Sequence, residues 1–435
     1  LIYGNIIYDK APVMLEKLIG IMGEEAFRCG IRDYLTTYAY GNATWPDLIA
    51  ILDRYTDEDL ATFSDVWVHQ KGMPHIAVEI DGGEVVFTQS DPLNRGTLWT
   101  QSFSSRVIYA DGREESIDIT MRDKEHRVAV SKDVIALLPN SCGRGYGLFI
   151  PDARSREWIM ENFASLDDAL LRESLVITLH ECYQHDIIPA DDWLYFILSH
   201  IAKEPNYLIA STLNDYLGGA MIRVGSYESE NYLWRIICNH SNPSLCRRLT
   251  MTLAHTMLSK QSVGRLYLLW EGMSNPQLDE QDYTTIAYEL ALRLPAKAES
   301  ILATQRSRIT NPDRIAQFDY ISRAVRGDVA EQQSLFEWLL SDAKNRRPEP
   351  WAATMLGYLC HHTRQAESIN YIYTGLEALK EIQRTGDIFF PSNWLKAMLG
   401  GHHSSAAAAE VERFLADNPD YPTLLKNKIL QATHR

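Results

Sequence analysis

Cysteine is scarce in this chain, with six among 435 residues and none in a Cys-x-x-Cys pair. Thiols this sparse exclude a disulfide-stapled scaffold, and buried, reduced side chains are expected. No apolar run reaches the roughly 18–20 residues that a membrane-spanning helix needs, so no membrane span is expected. No basic segment followed by an apolar one leads to a small-residue cleavage site. The first residue is Leu1 rather than Met, as expected of a processed or shortened chain. Positive charge is in deficit: 42 Lys and Arg stand against 57 Asp and Glu, a net charge of -15. That balance argues against tracking a phosphate backbone, and the isolated pair Arg247 and Arg248 does not change it. No nucleic-acid partner is expected.

Several catalytic signatures are also missing. There is no Gly-x-Ser-x-Gly, which removes the usual sign of a serine hydrolase. The glycine-rich stretch SCGRGYG, residues 141–147, lacks both the Gly-x-Gly-x-x-Gly order and the Lys-Ser/Thr of a phosphate loop. It lies among strand-like segments and reads as a turn. HECYQH resembles a zinc motif only at first sight. His180 and His185 are five apart, which places them about 140° apart on a helix, whereas a spacing of four is needed for both imidazoles to reach one ion. Cys238, His240 and Cys246, and the run Cys360, His361 and His362, carry ligand-type residues at spacings that fit no common structural zinc pattern. Buried apolar packing is the expectation for these thiols, and the residues alone assign no metal ligand and no cofactor.

What is present is a change of period. Val13, Met14, Leu18, Ile21 and Met22 recur at helical spacing behind Pro12, with Asp9 as the candidate cap and Gly23 as the stop. Three further helices are predicted before Gly72, one of them opened by Thr44 and Pro46 and another pairing Phe63 with Trp67. The pattern then alternates. HIAVEIDGGEVVFTQ carries Gly-Gly at a hairpin turn, and a second hairpin turns at Asp111-Gly112, so a small β-sandwich is predicted. From PDARSREW onward helical periodicity returns, with short polar joints such as RITNPDR and KNRRPEP, which favours antiparallel helix pairs.

Two stretches resemble a known family. IYDKAPVMLEKLIGIMGEEAFRCGIRDYLTTYAYGNAT is similar to the helices that follow the zinc site in the aminopeptidase N and leukotriene hydrolase family of zinc aminopeptidases (gluzincins). Its Tyr-x-Lys pattern is met by Tyr8 and Lys10. FSDVWVHQKGMPHIAV resembles that family's exit from the catalytic domain, through Phe63, Trp67, Gln70, Gly72 and Pro74. Residues 138–152, LPNSCGRGYGLFIPD, resemble more weakly the family's last sandwich strands, and EWIMENFASLDDALLRESLV its early C-terminal helices.

The resemblance implies a multidomain fold: residues 1–72 as the C-terminal helical part of a thermolysin-like catalytic domain, 73–151 as a β-sandwich and 152–435 as a large all-α domain of antiparallel helix pairs. It implies that Tyr8 is catalytic, its phenol donating a hydrogen bond to the oxyanion that forms on a peptide carbonyl. It also implies zinc in an intact parent, with a peptide substrate. The family's His-Glu-x-x-His, its third ligand Glu and its Gly-x-Met-Glu-Asn stretch are absent from this sequence. The chain by itself is therefore expected to be inactive, with the missing N-terminal catalytic region as its partner in the parent. Ile6, Ile7 and the run Val13 to Ile19 are expected to expose apolar surface that promotes self-association. The alternative reading is a non-catalytic interaction module for proteins or peptides that keeps an aminopeptidase-like fold.

Overall fold

The computed structural model describes residues 10–433. Tyr8, Ile6, Ile7 and the Asp9 cap lie outside the described residues. Among those described, the chain forms 21 α-helices and seven strands, and it falls into two compact units, Ile2–Tyr216 and Leu217–Arg435. No helix among them is long and apolar enough to cross a membrane.

In the first unit the helix Ala11–Met22 begins with Pro12 in its first turn and ends at Gly23, whose φ of 83° suits glycine. Met14 and Leu18 are buried, and Val13, Leu15 and Ile19 are half-buried, so the described part of this run does not form an exposed apolar face. Trp45–Leu52 opens with a capping box in which Thr44 and Asp47 satisfy each other's backbone N–H groups. The predicted helix around Trp67 is interrupted. Leu60–Ser64 is α-helical, but Asp65–His69 widens into a π turn that still buries Trp67. Met14, Leu18, Leu52, Phe63, Trp67 and Trp99 share one core.

The strands are β1 (His75–Asp81), β2 (Glu84–Ser90), β3 (Gln101–Tyr109), β4 (Glu114–Met121), β5 (Glu125–Ala129), β6 (Val134–Leu138) and β7 (Leu148–Pro151). They form one sheet of order β5-β2-β1-β7 and another of order β4-β3-β6. Val78 and Phe87 from the first sheet meet Phe103, Val107 and Ile119 from the second in a single core, which is the sandwich the alternation predicts. The two hairpins turn at Gly82-Gly83 and at Gly112, all at positive φ. SCGRGYG is the connection from β6 to β7. Gly147 is required there because a Cβ would lie 2.6 Å from the Pro74 carbonyl oxygen.

One buried charge went unpredicted. Lys17 lies on the same helical face as Met14 and Leu18 and is 2% exposed. Its Nζ donates to Gln101 Oε1 at 2.9 Å and to the Arg144 carbonyl, near the Trp67 ring. Burial lowers its pKa from 10.5 to about 7. The sign follows directly. Below the folded pKa the fold must hold a charged ammonium that the unfolded chain leaves in water; above 10.5 neither state carries the charge. The penalty is therefore full at acidic pH and fades as pH rises between these values. Lys17→Met should stabilise this unit by roughly 1–4 kcal/mol near pH 6 and by progressively less toward pH 10. Urea unfolding across that range checks it, and a variant less stable than the parent near pH 6 would contradict it.

The second unit is built of helix pairs around two apolar clusters. In one, Trp394 and Met398 pack with Leu356, Ile372 and Phe414; in the other, Tyr288, Leu302, Phe318 and Val325 come together. Most helices open on a side-chain cap. Asn242 and Asp279, for example, each accept two backbone N–H groups at the heads of Pro243–Thr256 and Glu280–Arg293.

Candidate functional site

Four segments of the second unit converge on one carboxylate. Pro243–Thr256 presents Met251 and His255, and Glu280–Arg293 presents Thr285, Glu289 and Arg293, each set at spacings of four that keep it on one face. Thr354 and Tyr358 lie on Glu349–Leu359, which ends at Cys360 and passes through His361 and His362 into a short 3-10 turn. The last segment, the end of Phe390–Leu399 and the residues after it, supplies Lys396 and Gly401. Gly401 is needed for this approach because a Cβ there would stand 1.9 Å from the Cys360 carbonyl oxygen. The close passage holds the two-histidine turn in place.

Glu289 is buried and surrounded by donors. Arg293 Nη1 donates to its Oε2 at 2.6 Å, and His255 Nδ1 lies 3.1 Å from Oε1. His361 Nε2 is 3.3 Å from Oε2, without hydrogen-bond geometry. Burial pushes the carboxyl up, but the His361 and Arg293 charges and the His255 hydrogen bond outweigh it and hold Glu289 well below the ordinary glutamate range. Burial lowers His361, and it lowers His362 to about 3, so both rings are neutral at pH 7. Burial, with the Glu289 charge next in size, raises the Tyr358 phenol. Burial alone raises the Cys360 thiol, which is therefore inert packing, as the sequence predicts.

The remaining Arg293 donors are satisfied by backbone. Nη2 donates to the His255 carbonyl and Nε to the Met257 carbonyl, both at 2.6 Å. His362 Nε2 reaches the same His255 carbonyl at 2.7 Å, and His361 Nδ1 lies 2.9 Å from Thr363 Oγ1. The group opens into a cavity of about 460 Å³ walled by Glu289, the three histidines, Tyr358 and Lys396 among others. The arrangement presents an ionised buried carboxylate and imidazole rings to a mostly apolar space, with no activated nucleophile among the lining residues. Sequence reasoning noticed His361 and His362 but missed His255 and Glu289, because their partners lie on other helices, 107 residues apart in the case of His255 and His362.

The other sequence candidates have structural places, except that Cys238, expected in buried packing, is exposed. His180 stacks on Tyr216 with ring centroids 3.6 Å apart, while His185 caps the helix Ala169–Gln184 and bonds the Glu181 carbonyl. His240 Nδ1 accepts the Asn242 N–H, and Cys246 donates to the His240 carbonyl. The exit motif is structural too. Phe63 and Trp67 are buried, the Trp67 indole donates to the Thr100 carbonyl at 3.0 Å, Gly72 takes a φ of 92°, and the Pro74 carbonyl accepts the first N–H of β7. Lys10 stands at the head of the first described helix. Tyr8, two residues earlier, lies outside the described residues.

Residues 1–67 match the Peptidase family M1 domain. The chain is 29% identical over 129 residues to Aminopeptidase M1-B of Oryza sativa subsp. japonica, covering 29% of this chain and 15% of that protein. It is 22% identical over 233 residues to Aminopeptidase N of Streptomyces lividans, covering 49% and 27%, and 26% identical over 229 residues to Aminopeptidase 2 of Candida albicans, covering 50% and 24%. In these stretches the chain is similar to the aminopeptidase N family. The matched segments span about a quarter or less of these relatives' own length. The residues Phe63 to Pro74 carry the chain out of one helical core and into the sandwich.

Proposed function

We propose that this chain is part of a zinc metalloaminopeptidase that removes N-terminal residues from peptides. The observation that supports this best is the match of residues 1–67 to the Peptidase family M1 domain, together with relatives named as aminopeptidases. In this reading residues 1–72 are the last helices of a thermolysin-like catalytic domain, 73–151 a spacer and 152–435 a helical domain that restricts access to the cleft by steric exclusion.

The family's zinc needs the His-Glu-x-x-His pair, which this sequence does not contain. The residues present do not make up that catalytic site, and no step through its ion is assigned to them. The chain's own contribution is Tyr8. A neutral phenol is a hydrogen-bond donor at pH 7, and fixed beside the scissile carbonyl it stabilises the negative charge that grows on oxygen as the carbonyl becomes tetrahedral.

The reading frame upstream of Leu1 provides the test. A continuous frame encoding His-Glu-x-x-His and, about twenty residues on, a Glu is the expected result. A start codon immediately before Leu1 would contradict it.

A further inference from the structure

The three-histidine cluster goes beyond the peptidase reading. We propose that His255, His361 and His362 form a binding site for one divalent transition-metal ion of the zinc class, with Glu289 as the carboxylate that orients His255 behind it. One ring nitrogen from each histidine lies within 4.8 Å of the other two. Around an ion with metal–nitrogen bonds near 2.0–2.1 Å, tetrahedral ligand nitrogens stand about 3.4 Å apart, so closure needs a contraction of no more than about 1.4 Å. His255 can supply it: its side chain is 50% exposed, whereas His361 and His362 are fixed in the buried turn.

A second observation points the same way. His361 is only 3% exposed and lines the cavity, yet its Nε2 has no hydrogen-bond partner. Its Nδ1 accepts the Thr363 N–H at 3.3 Å, which leaves the ring proton on Nε2 beside Glu289; an ion at Nε2 requires the other tautomer, in which Nδ1 donates to Thr363 Oγ1 at 2.9 Å and Nε2 carries the lone pair. The hydrogen bonds around the cluster also have the pattern found behind metal-binding histidines, in which a carboxylate or backbone carbonyl holds the ring nitrogen that does not bind the ion. Glu289 lies beside His255 Nδ1, the His255 carbonyl beside His362 Nε2, and Thr363 Oγ1 beside His361 Nδ1.

The charges decide the class of ion. Arg293 and Lys396 oppose a cation. Arg293, however, is held on Glu289 and on two carbonyls and does not wall the cavity, and Glu289 offsets its charge. A hard ion that demands several oxygen ligands finds one carboxylate here, so magnesium and calcium are excluded. Three imidazole ligands select zinc, cobalt, nickel or copper, and the cavity leaves a fourth position open to water or a small anion.

The test uses the metal-stripped full chain, titrated calorimetrically with Zn2+ and, separately, with Mg2+. The expected result is one Zn2+ per chain and no Mg2+, with Co2+ giving visible ligand-field absorption at the same stoichiometry. Glu289→Gln should weaken Zn2+ binding by about 10- to 100-fold and His255→Ala by more than about 100-fold. His69→Ala, at an exposed residue outside the cluster, should leave it unchanged. His255 is half-exposed, so its variant is expected to fold, and circular dichroism confirms that before titration. No Zn2+ binding by the parent chain, or binding that survives His255→Ala, would overturn the proposal. Neither outcome bears on the peptidase reading, which does not depend on this site.

Discussion

Replacing Glu289 by Ala is expected to destabilise the helical unit that begins at Leu217 by about 3–5 kcal/mol, the loss seen when one member of a buried ion pair is removed and the other stays behind. Arg293 would then stand almost fully buried, its side chain 7% exposed, with its charge uncompensated while its donors stay held on the Glu289, His255 and Met257 backbone carbonyls. The large effect comes from that abandoned charge rather than from any intrinsic strength of the pair. The paired variant Glu289→Leu with Arg293→Leu, which removes both charges, should therefore recover much of the stability. Denaturant unfolding of the three proteins measures this. A single variant within about 1 kcal/mol of the parent would show that the pair is solvated and does not organise the helices around the cavity.

The second large effect concerns catalysis. In the longer aminopeptidase proposed above, Tyr8→Phe is expected to lower kcat by about 100- to 1,000-fold while KM changes little. Phenylalanine lacks only the hydroxyl, so the deficit falls on an interaction made as the oxyanion forms. A loss confined to KM would place Tyr8 in ground-state peptide binding, and an unchanged kcat/KM would remove it from the machinery.

Local structure was legible wherever it rests on local chemistry. Thr44 and Pro46 announce a helix start, Gly23 a stop, and Gly82-Gly83 and Asp111-Gly112 two hairpins, because caps and positive-φ turns depend on a few adjacent residues. The π turn at Asp65–His69 was not legible, since the apolar spacing of Phe63 and Trp67 is equally compatible with an unbroken α-helix. Lys17 carried a signal in its position, three residues after Met14 and next to Leu18 on a buried face, but a lysine there reads naturally as a side chain reaching for water. The carboxylate cluster was the least legible feature. His255 and Glu289 look unremarkable on their own helices, His361 stands out only as part of a run without zinc spacing, and the packing of four segments, with Gly401 against the Cys360 carbonyl, gathers them. The family relationship was legible for the opposite reason: Tyr8, Lys10 and the Phe63-to-Pro74 run are contiguous enough in the chain to be compared directly.

The peptidase reading and the metal proposal separate cleanly in one respect. Zinc bound at the histidine cluster has no general base and no amine anchor beside it, so metal content alone says nothing about turnover. The direct measurement is hydrolysis of an aminoacyl-arylamide by purified 1–435 in the presence of zinc, alongside the protein made from the continuous upstream frame. The account predicts turnover by the longer protein and none by 1–435; turnover by 1–435 alone would contradict it.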